Sequence, residues 1–303
     1  MRVATIDCGT NSIRLLIADV DGNNFREVAR DMEIVRLGQG VDKTGAFDLG
    51  AVERTLAATR KYADVIRSKG SEKIRFCATS ATRDASNRSI FIDGVREILG
   101  IEPEVIPGTE EAALSFAGAT KEMSSHDAPF LVVDIGGGST EFVLGSDSVE
   151  FAKSVNIGCV RMSERHLSSQ PPTLESIAAA TVDIDAAIRD AGNTVPFKKA
   201  NTLIAVAGTA TTVAAAALNL PEYDRYSIHL SRIPAQKVHD VAAMFASMTR
   251  EEIAALGYMH PGRVDVITSG SLVLSRVMAL TGAEEFVASE SDILDGMAWS
   301  LAR

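Results

Sequence analysis

Blocks of apolar and polar positions predict an α/β protein. Residues 49–69 repeat apolar side chains at the spacing of an amphipathic helix, and residues 73–78 form a short apolar run typical of a buried strand. Two further helices are predicted at residues 90–99 and 110–119. Because helices and strands alternate, we expect this half of the chain to form an α/β lobe.

The alternation continues in the second half of the chain. The predicted helices span residues 174–190, 235–248 and 264–281, with a last helix from Asp292, and the predicted strands span residues 203–207 and 285–289. Residues 202–221 are uncharged over the length of a membrane span, but they are mostly Ala and Thr with a glycine in the middle. We therefore predict a strand, a turn and a helix there, and no membrane association.

One segment of the chain occurs twice. Residues 6–17 read apolar strand, Asp-x-Gly, small polar residues and apolar strand, and residues 133–144 repeat this pattern without gaps 127 positions later. Each copy predicts a hairpin, and the repetition predicts two similar lobes, which we expect to face each other across a cleft. The polar segment 120–128 suggests an N-terminal lobe of residues 1–120 and a C-terminal lobe of residues 121–303, with the last helix able to pack back on the first lobe.

The net charge and the cysteine positions limit which classes of function the chain can have. The formal net charge of −10 argues against generic nucleic-acid binding, and an anionic substrate would need local basic groups and bound cations. The N-terminus lacks the basic flank and cleavage site of a secretory signal, so we expect a cytoplasmic protein. Cys8, Cys77 and Cys159 are far apart beside apolar or glycine residues, which predicts buried thiols.

The second copy of the repeat holds the strongest candidate site. Gly136, Gly137 and Gly138 would let the backbone approach an anion closely and turn N–H groups toward it, and Ser139 and Thr140 could add hydroxyl donors. A phosphate group fits this description. The alternative is an ordinary glycine-rich turn, and the duplication of Asp-x-Gly weighs against it.

Two carboxylates lie beside this turn. Asp134 ends the incoming strand and Glu141 begins the return strand, so the hairpin brings both to one place. Mg²⁺ takes one or two protein carboxylates and completes its shell with water and phosphate oxygens, which matches this pair. Asp7, the counterpart of Asp134 in the first copy, joins the candidate metal ligands; the alternative for Glu141 is a solvent-facing side chain.

Other candidates follow predicted strands. Arg83 ends a hydroxyl-rich loop and suits phosphate because its guanidinium can donate two hydrogen bonds, although a surface ion pair or a helix start is equally consistent. Gly208 and Thr209 lie in a strand-to-helix turn whose N–H groups could bind a second phosphate, unless the turn serves packing alone. Among the scattered basic residues of the second lobe, only Arg161 is kept as a candidate.

A pair of acids marks a predicted helix start. Glu110 and Glu111 follow Thr109, which reads as an N-cap residue, and acids are common in a first helical turn. Hydrolysis, however, needs a carboxylate that orients or deprotonates water. The residues leave both interpretations open.

Four segments together resemble the exopolyphosphatase and guanosine pentaphosphate phosphohydrolase family of the actin-like superfamily, over nearly the whole chain. They are IDCGTNS at residues 6–12, ATSATR at 78–83, GTEEA at 108–112 and VDIGGGSTE at 133–141. The chain departs from the family near its C-terminus, where residues 293–296 read ILDG in place of the usual LREG.

The resemblance implies two actin-like, ribonuclease H-like lobes, a homodimer and a short form that ends after these lobes. It implies that Glu111 positions the attacking water, with Glu110 as the adjacent alternative, and that Asp134 and Glu141 help hold Mg²⁺ or Mn²⁺. It also implies a role for Arg83. The residues that would grip the terminal phosphates are Thr10, Asn11, Ser12, Gly136, Gly137, Gly138, Ser139 and Thr140.

The predicted function is therefore an exopolyphosphatase that releases terminal orthophosphate from inorganic polyphosphate by Mg²⁺-dependent hydrolysis. One alternative is hydrolysis of the 5′-phosphate of pppGpp. Another is an actin-like ATPase or sugar kinase, which would require ATP, whereas polyphosphate should turn over without nucleotide. A third is a non-catalytic protein that binds ppGpp or pppGpp.

Overall fold

The computed structural model describes residues 1–22 and 24–302 and divides into two α/β units. The first unit comprises residues 1–118 and 293–303, and the second comprises residues 119–292. Each unit has its own hydrophobic core, and in the first unit apolar clusters lie on both faces of the sheet.

The first unit contains a five-stranded sheet. Strands β1 (Arg2–Cys8), β2 (Ser12–Asp21) and β3 (Asn24–Ile34) are antiparallel, and β4 (Lys73–Ala78) and β5 (Glu104–Val105) continue the sheet in parallel to β1. The order is β3-β2-β1-β4-β5. Val3, Ala4 and Ile6 of β1 are fully buried, as expected for a central strand covered on both faces.

The second unit repeats this topology. Its strands are β6 (Phe130–Ile135), β7 (Thr140–Gly145), β8 (Val149–Val155), β9 (Thr202–Val206), β10 (Arg232–Pro234) and β11 (Glu285–Ala288). From the opposite edge the order is β8-β7-β6-β9-β11-β10, with β9 parallel to β6; among the described residues, β10 is the one strand without a counterpart in the first unit. The prediction of two similarly built α/β units is confirmed, and the third strand of each meander was missing from it.

Helices cover the sheets. In the first unit they are α1 (Val41–Thr44), α2 (Leu49–Lys69), α3 (Ser80–Asp84), α4 (Ser89–Leu99) and α5 (Gly108–Thr120, which crosses the boundary between the units). In the second they are α6 (Cys159–Arg165), α7 (Leu174–Thr194), α8 (Ala207–Ala217), α9 (Arg225–Ile228), α10 (Ala235–Ser247), α11 (Arg250–Ala254) and α12 (Ile267–Thr281).

Two predicted elements have the boundaries seen in the structure, and the predicted N-cap of one helix is wrong. The predicted helix 49–69 and strand 73–78 coincide with α2 and β4. Thr109 is not an N-cap, because the amides of Glu110 and Glu111 both donate to Pro107 O and α5 therefore begins at Gly108.

The last helix, α13 (Ile293–Leu301), belongs to the first unit. Thr5 Oγ1 donates to Leu294 O at 3.1 Å, and a Cβ atom at position 296 would lie 2.0 Å from Leu114 O, so only glycine allows α13 this close to α5. Arg30 donates to Asp295 at 2.6 Å. The segment that departs from the family pattern thus serves packing within this unit.

Two bulk predictions can also be compared with the structure. All three cysteines are buried free thiols, which confirms that prediction. Within residues 1–22 and 24–302, none of the helices has the length and apolarity needed to cross a membrane.

Candidate active site

The two Asp-x-Gly hairpins close with the same turn. In the first, the amide of Gly9 donates to Ser12 O at 3.0 Å, and in the second the amide of Gly136 donates to Ser139 O at 3.0 Å. The repeat in the sequence is therefore a repeat in backbone geometry. Each turn joins the first two strands of its sheet.

The side chains at the base of the two turns differ. Asp7 lies opposite Arg14, whose Nη2 and Nε donate to Asp7 Oδ2 at 2.7 and 3.1 Å. At the matching positions of the second unit, Asp134 lies opposite Glu141, and the two residues are 6% and 1% exposed. A solvent-facing Glu141 is therefore excluded, and Ser154 Oγ donates to its Oε1 at 2.7 Å.

The carbonyl groups of three consecutive glycines are held by the segment that opens α6. The hydrogen bonds run from the amide of Cys159 to Gly136 O (3.0 Å), from the amides of Val160 and Arg161 to Gly137 O (2.9 and 3.1 Å), and from Arg161 Nε to Gly138 O (2.7 Å). All three carbonyls are therefore directed toward one side of the loop.

The loop amides consequently point to the other side. In a trans peptide the N–H lies opposite the C=O, so fixing these carbonyls fixes the amides of Gly137, Gly138 and Ser139. Within residues 1–22 and 24–302, none of these three amides donates to a protein group. Successive outward N–H groups of this kind form an anion-binding nest.

The two hydroxyls after the glycines have different environments. Thr140 Oγ1 donates to Ile157 O at 2.7 Å and is fully buried, so it ties β7 to the next segment. The Ser139 hydroxyl, in contrast, makes no hydrogen bond to another described residue. Only Ser139 therefore retains a side-chain donor for a ligand.

Gly158 is a site residue that the sequence analysis missed. A Cβ atom there would lie 2.5 Å from the carbonyl carbon and oxygen of Gly137 and 2.7 Å from the Gly138 nitrogen. Only glycine lets the α6 segment approach the loop this closely. The sequence held a signal for it, because VNIG at residues 155–158 repeats VRLG at residues 35–38.

The first hairpin is supported in a related way. Thr10 O accepts from the Gly38 amide at 2.9 Å, and Asn11 O accepts from the amides of Val35 and Arg36 at 3.0 and 2.9 Å. Thr10 Oγ1 and Asn11 Oδ1 are buried, and neither has a hydrogen-bond partner in the described part of the chain. Buried polar atoms are normally satisfied, so these two are candidates for ligand contacts.

The structure separates the two candidate acids. Arg83 Nη1 donates to Glu111 Oε2 at 2.7 Å and to Ile106 O at 2.9 Å, and Glu111 is 9% exposed. Glu110 instead accepts from Arg75 at 2.7 Å in a partly exposed ion pair. Arg83 therefore holds Glu111, and Glu110 belongs to a different surface cluster.

The turn at Gly208 and Thr209, which was predicted to bind a second phosphate, lies against the side chain of Arg263. Ala207 has a positive φ of 67°, and a Cβ atom at Gly208 would lie 2.4 Å from the guanidinium carbon of Arg263. Arg263 Nη1 also donates to Thr212 Oγ1 at 3.0 Å. Thr209 is buried beside the Cys159 thiol, whose pKa is raised by burial to about 11. Sequence analysis missed Arg263.

The donors for a metal ion are few. Within the described ranges, no three or more His, Cys, Asp or Glu side chains are grouped to hold one. Asp134 and Glu141 supply two buried carboxylates in cross-strand register, a donor set that suits Mg²⁺ with water and phosphate oxygens completing its shell. Asp7 is less suited, because its Oδ2 accepts from Arg14.

Comparison with known proteins identifies the family of the chain. The Ppx/GppA phosphatase family matches residues 16–302. Exopolyphosphatase 2 of Mycobacterium tuberculosis is 47% identical over 314 residues, which cover 99% of this chain and 98% of that protein. A guanosine-5′-triphosphate,3′-diphosphate pyrophosphatase of Vibrio atlanticus is 34% identical over 171 residues, 56% of this chain and 34% of that protein. The crystal structure of an exopolyphosphatase-like protein, 47% identical, superimposes with a TM-score of 0.96 and covers 99% of this chain and 97% of that one.

Proposed function

Because this chain belongs to the Ppx/GppA phosphatase family, we propose that it is an exopolyphosphatase, which removes the terminal orthophosphate of inorganic polyphosphate by hydrolysis. The observation that carries the proposal is the nest of three outward amides at Gly137, Gly138 and Ser139. Such amides bind an anion without adding protein charge, which suits a chain of net charge −10.

The glycine loop would bind the reacting phosphoryl group. The nest and the Ser139 hydroxyl donate to its oxygens, and fixed donors of this kind stabilise the charge that develops during phosphoryl transfer. Asp134 and Glu141 would hold Mg²⁺ or Mn²⁺, which when bound neutralises phosphate charge. Arg263 adds a further positive charge beside the turn at Gly208.

Glu111 is the carboxylate that we propose acts on water. Glu111 accepts a proton from an attacking water, whose oxygen bonds to the terminal phosphorus while the bridging P–O bond breaks and the shortened chain leaves with the bridging oxygen; the proton is then released from Glu111 to solvent. Arg83 holds Glu111 through its 2.7 Å hydrogen bond. The unsatisfied Thr10 hydroxyl would donate to a phosphate oxygen, and Asn11 would do so through its Nδ2 group, because its Oδ1 can only accept.

The function is tested by measuring phosphate release from polyphosphates of several lengths, from pppGpp and from ATP, each with Mg²⁺ and with EDTA. We expect release from polyphosphate with Mg²⁺ and without any nucleotide. If only ATP is hydrolysed, the protein is an ATPase, and if none of the substrates is hydrolysed, the proposal is wrong.

A second candidate substrate is pppGpp, whose 5′ end is also a terminal phosphoanhydride. It is favoured by the identity of 34% with the Vibrio atlanticus pyrophosphatase, although the chain spans only about a third of that protein. A higher kcat/KM for pppGpp than for polyphosphate in the same assay would make it the principal substrate.

The role of Glu111 is tested by Glu111→Gln, with Glu110→Gln as the matched control. We expect the first variant to lose about a thousandfold in kcat and the second to stay within about threefold of the wild type. If both variants lost activity equally, the pairing of Glu111 with Arg83 and of Glu110 with Arg75 would not identify which glutamate is catalytic.

A further inference from the structure

The three peptide groups of the glycine loop are not held in the same way. The carbonyls of Gly136 and Gly137 accept from backbone amides, which side-chain substitutions leave in place. The carbonyl of Gly138 accepts only from Arg161 Nε among the described residues. One of the three amides in the nest, that of Ser139, thus depends on a side chain.

This peptide group also has little else to fix it. Gly138 has no side chain and can adopt backbone conformations that other residues avoid, so rotation of the peptide between Gly138 and Ser139 meets little steric resistance. After such a rotation, a carbonyl oxygen would face the side where the Ser139 N–H now points. An anion at the nest would then meet a negative dipole where it needs a donor.

We propose that Arg161 is a positioning residue, whose Nε fixes the Gly138 carbonyl and thereby directs the Ser139 amide toward the bound phosphoryl group. The inference rests on the proposed function of the loop. It differs from a role in which Arg161 attracts the polyanion by charge, because the atom that makes the 2.7 Å contact is directed at a protein carbonyl.

Three variants separate the two roles. Arg161→Gln places an amide nitrogen the same number of bonds from Cα as Arg Nε, but without charge. Arg161→Lys keeps the charge and places the donor nitrogen one atom further from the backbone. Arg161→Met keeps a side chain of similar length but removes both the charge and the donor. Arg165→Met is the matched control, since Arg165 lies on the same helix and pairs with Asp183 at 2.8 Å.

We expect kcat/KM for tripolyphosphate to fall tenfold to a hundredfold in Arg161→Met and Arg161→Lys, and to stay within about threefold in Arg161→Gln and Arg165→Met. Recovery by Lys together with loss in Gln would overturn the proposal in favour of a charge role. Equal activity of all four variants would also overturn it.

Hydrogen exchange of the Gly136 amide, which donates to Ser139 O across the loop at 3.0 Å, gives a readout that does not depend on catalysis when it is followed by mass spectrometry without substrate. Exchange should be faster than in the wild type in Arg161→Met and Arg161→Lys, and unchanged in Arg161→Gln and Arg165→Met. Unchanged exchange in Arg161→Met would contradict the positioning role. If the wild type releases no phosphate, the proposed function fails, while this measurement still decides whether Arg161 orders the loop.

Discussion

The two Asp-x-Gly hairpins share one backbone geometry but differ in the side chains at the bases of their turns. Their turns close with identical 3.0 Å hydrogen bonds, and a following segment that ends in glycine supports each of them. At the base of the first turn an arginine neutralises the aspartate, whereas the second turn places two buried carboxylates opposite each other. The comparison shows that the fold sets where groups lie, and one side chain in each hairpin sets what they can bind.

The difference has an energetic meaning. A buried Asp–Arg pair compensates its own charge, so the first hairpin is stable without a ligand. Asp134 and Glu141 are buried acidic residues on paired strands, and a cation bound by both would add the positive charge that Arg14 supplies in the first hairpin. We therefore expect substitutions of Asp7 or Arg14 to affect mainly stability, and substitutions of Asp134 or Glu141 to affect mainly metal binding and turnover.

The largest effect is expected for Glu141→Gln. Gln keeps the shape and can retain the bond with Ser154, but it removes one carboxylate from the proposed metal pair. We expect phosphate release to fall about a thousandfold, with no decrease in the Tm measured in EDTA. A variant that keeps wild-type turnover, or that melts well below the wild type in EDTA, would contradict this account of the second hairpin.

Arg14→Met tests whether the first hairpin depends on its ion pair for stability. It removes both hydrogen bonds that Arg14 gives to the buried carboxylate of Asp7. Since breaking a buried pair leaves its charge poorly compensated, we expect the free energy of unfolding in urea to fall by about 3 kcal/mol at neutral pH. A loss below about 0.5 kcal/mol would show that this pair is not what holds Asp7.

Gly158 and Gly38, which lie in the segments that support the two turns, allow a further test of the comparison. In Gly158→Ala the new Cβ meets backbone atoms of Gly137 at 2.5 Å, whereas in Gly38→Ala it meets the methyl group of Thr10 at 2.3 Å. The Thr10 methyl can rotate away, which leaves Cβ contacts of 3.0 Å with Ala81 and 3.1 Å with Thr10, whereas a backbone cannot rotate away. We therefore expect a loss of about 2 kcal/mol for Gly158→Ala and a smaller one for Gly38→Ala, measured by urea unfolding. The reverse order would mean that the glycine loop can move aside.

The smallest effect is expected for Ser154→Ala. It removes the 2.7 Å hydrogen bond that orients Glu141, while both carboxylates remain. We expect about tenfold weaker binding of Mn²⁺, measured by isothermal titration calorimetry, with kcat at saturating Mg²⁺ close to the wild-type value. Unchanged Mn²⁺ affinity would show that Glu141 needs no support from the neighbouring strand.

Much of the fold could be predicted from local patterns. The repeat around Asp7 and Asp134 predicted two similar units, and hydrophobic periodicity predicted α2 and β4 to the residue. The strands β3 and β8 were missed, because neither is deeply buried and their burial patterns lack a strict apolar alternation. Glu111 was preferred over Glu110 by resemblance alone, and the structure adds a physical reason in its buried contact with Arg83.

The sequence by itself determined the two sheets, the glycine-rich turn and the family, because each depends on residue types at short, regular spacing. Only the tertiary structure decided that Arg14 neutralises Asp7, that Arg83 selects Glu111, and that the α6 segment fixes the three loop carbonyls. Those contacts mostly join residues more than twenty positions apart or pair neighbouring strands in register. No local pattern of apolar and polar residues encodes them, because they arise only when separate elements pack together.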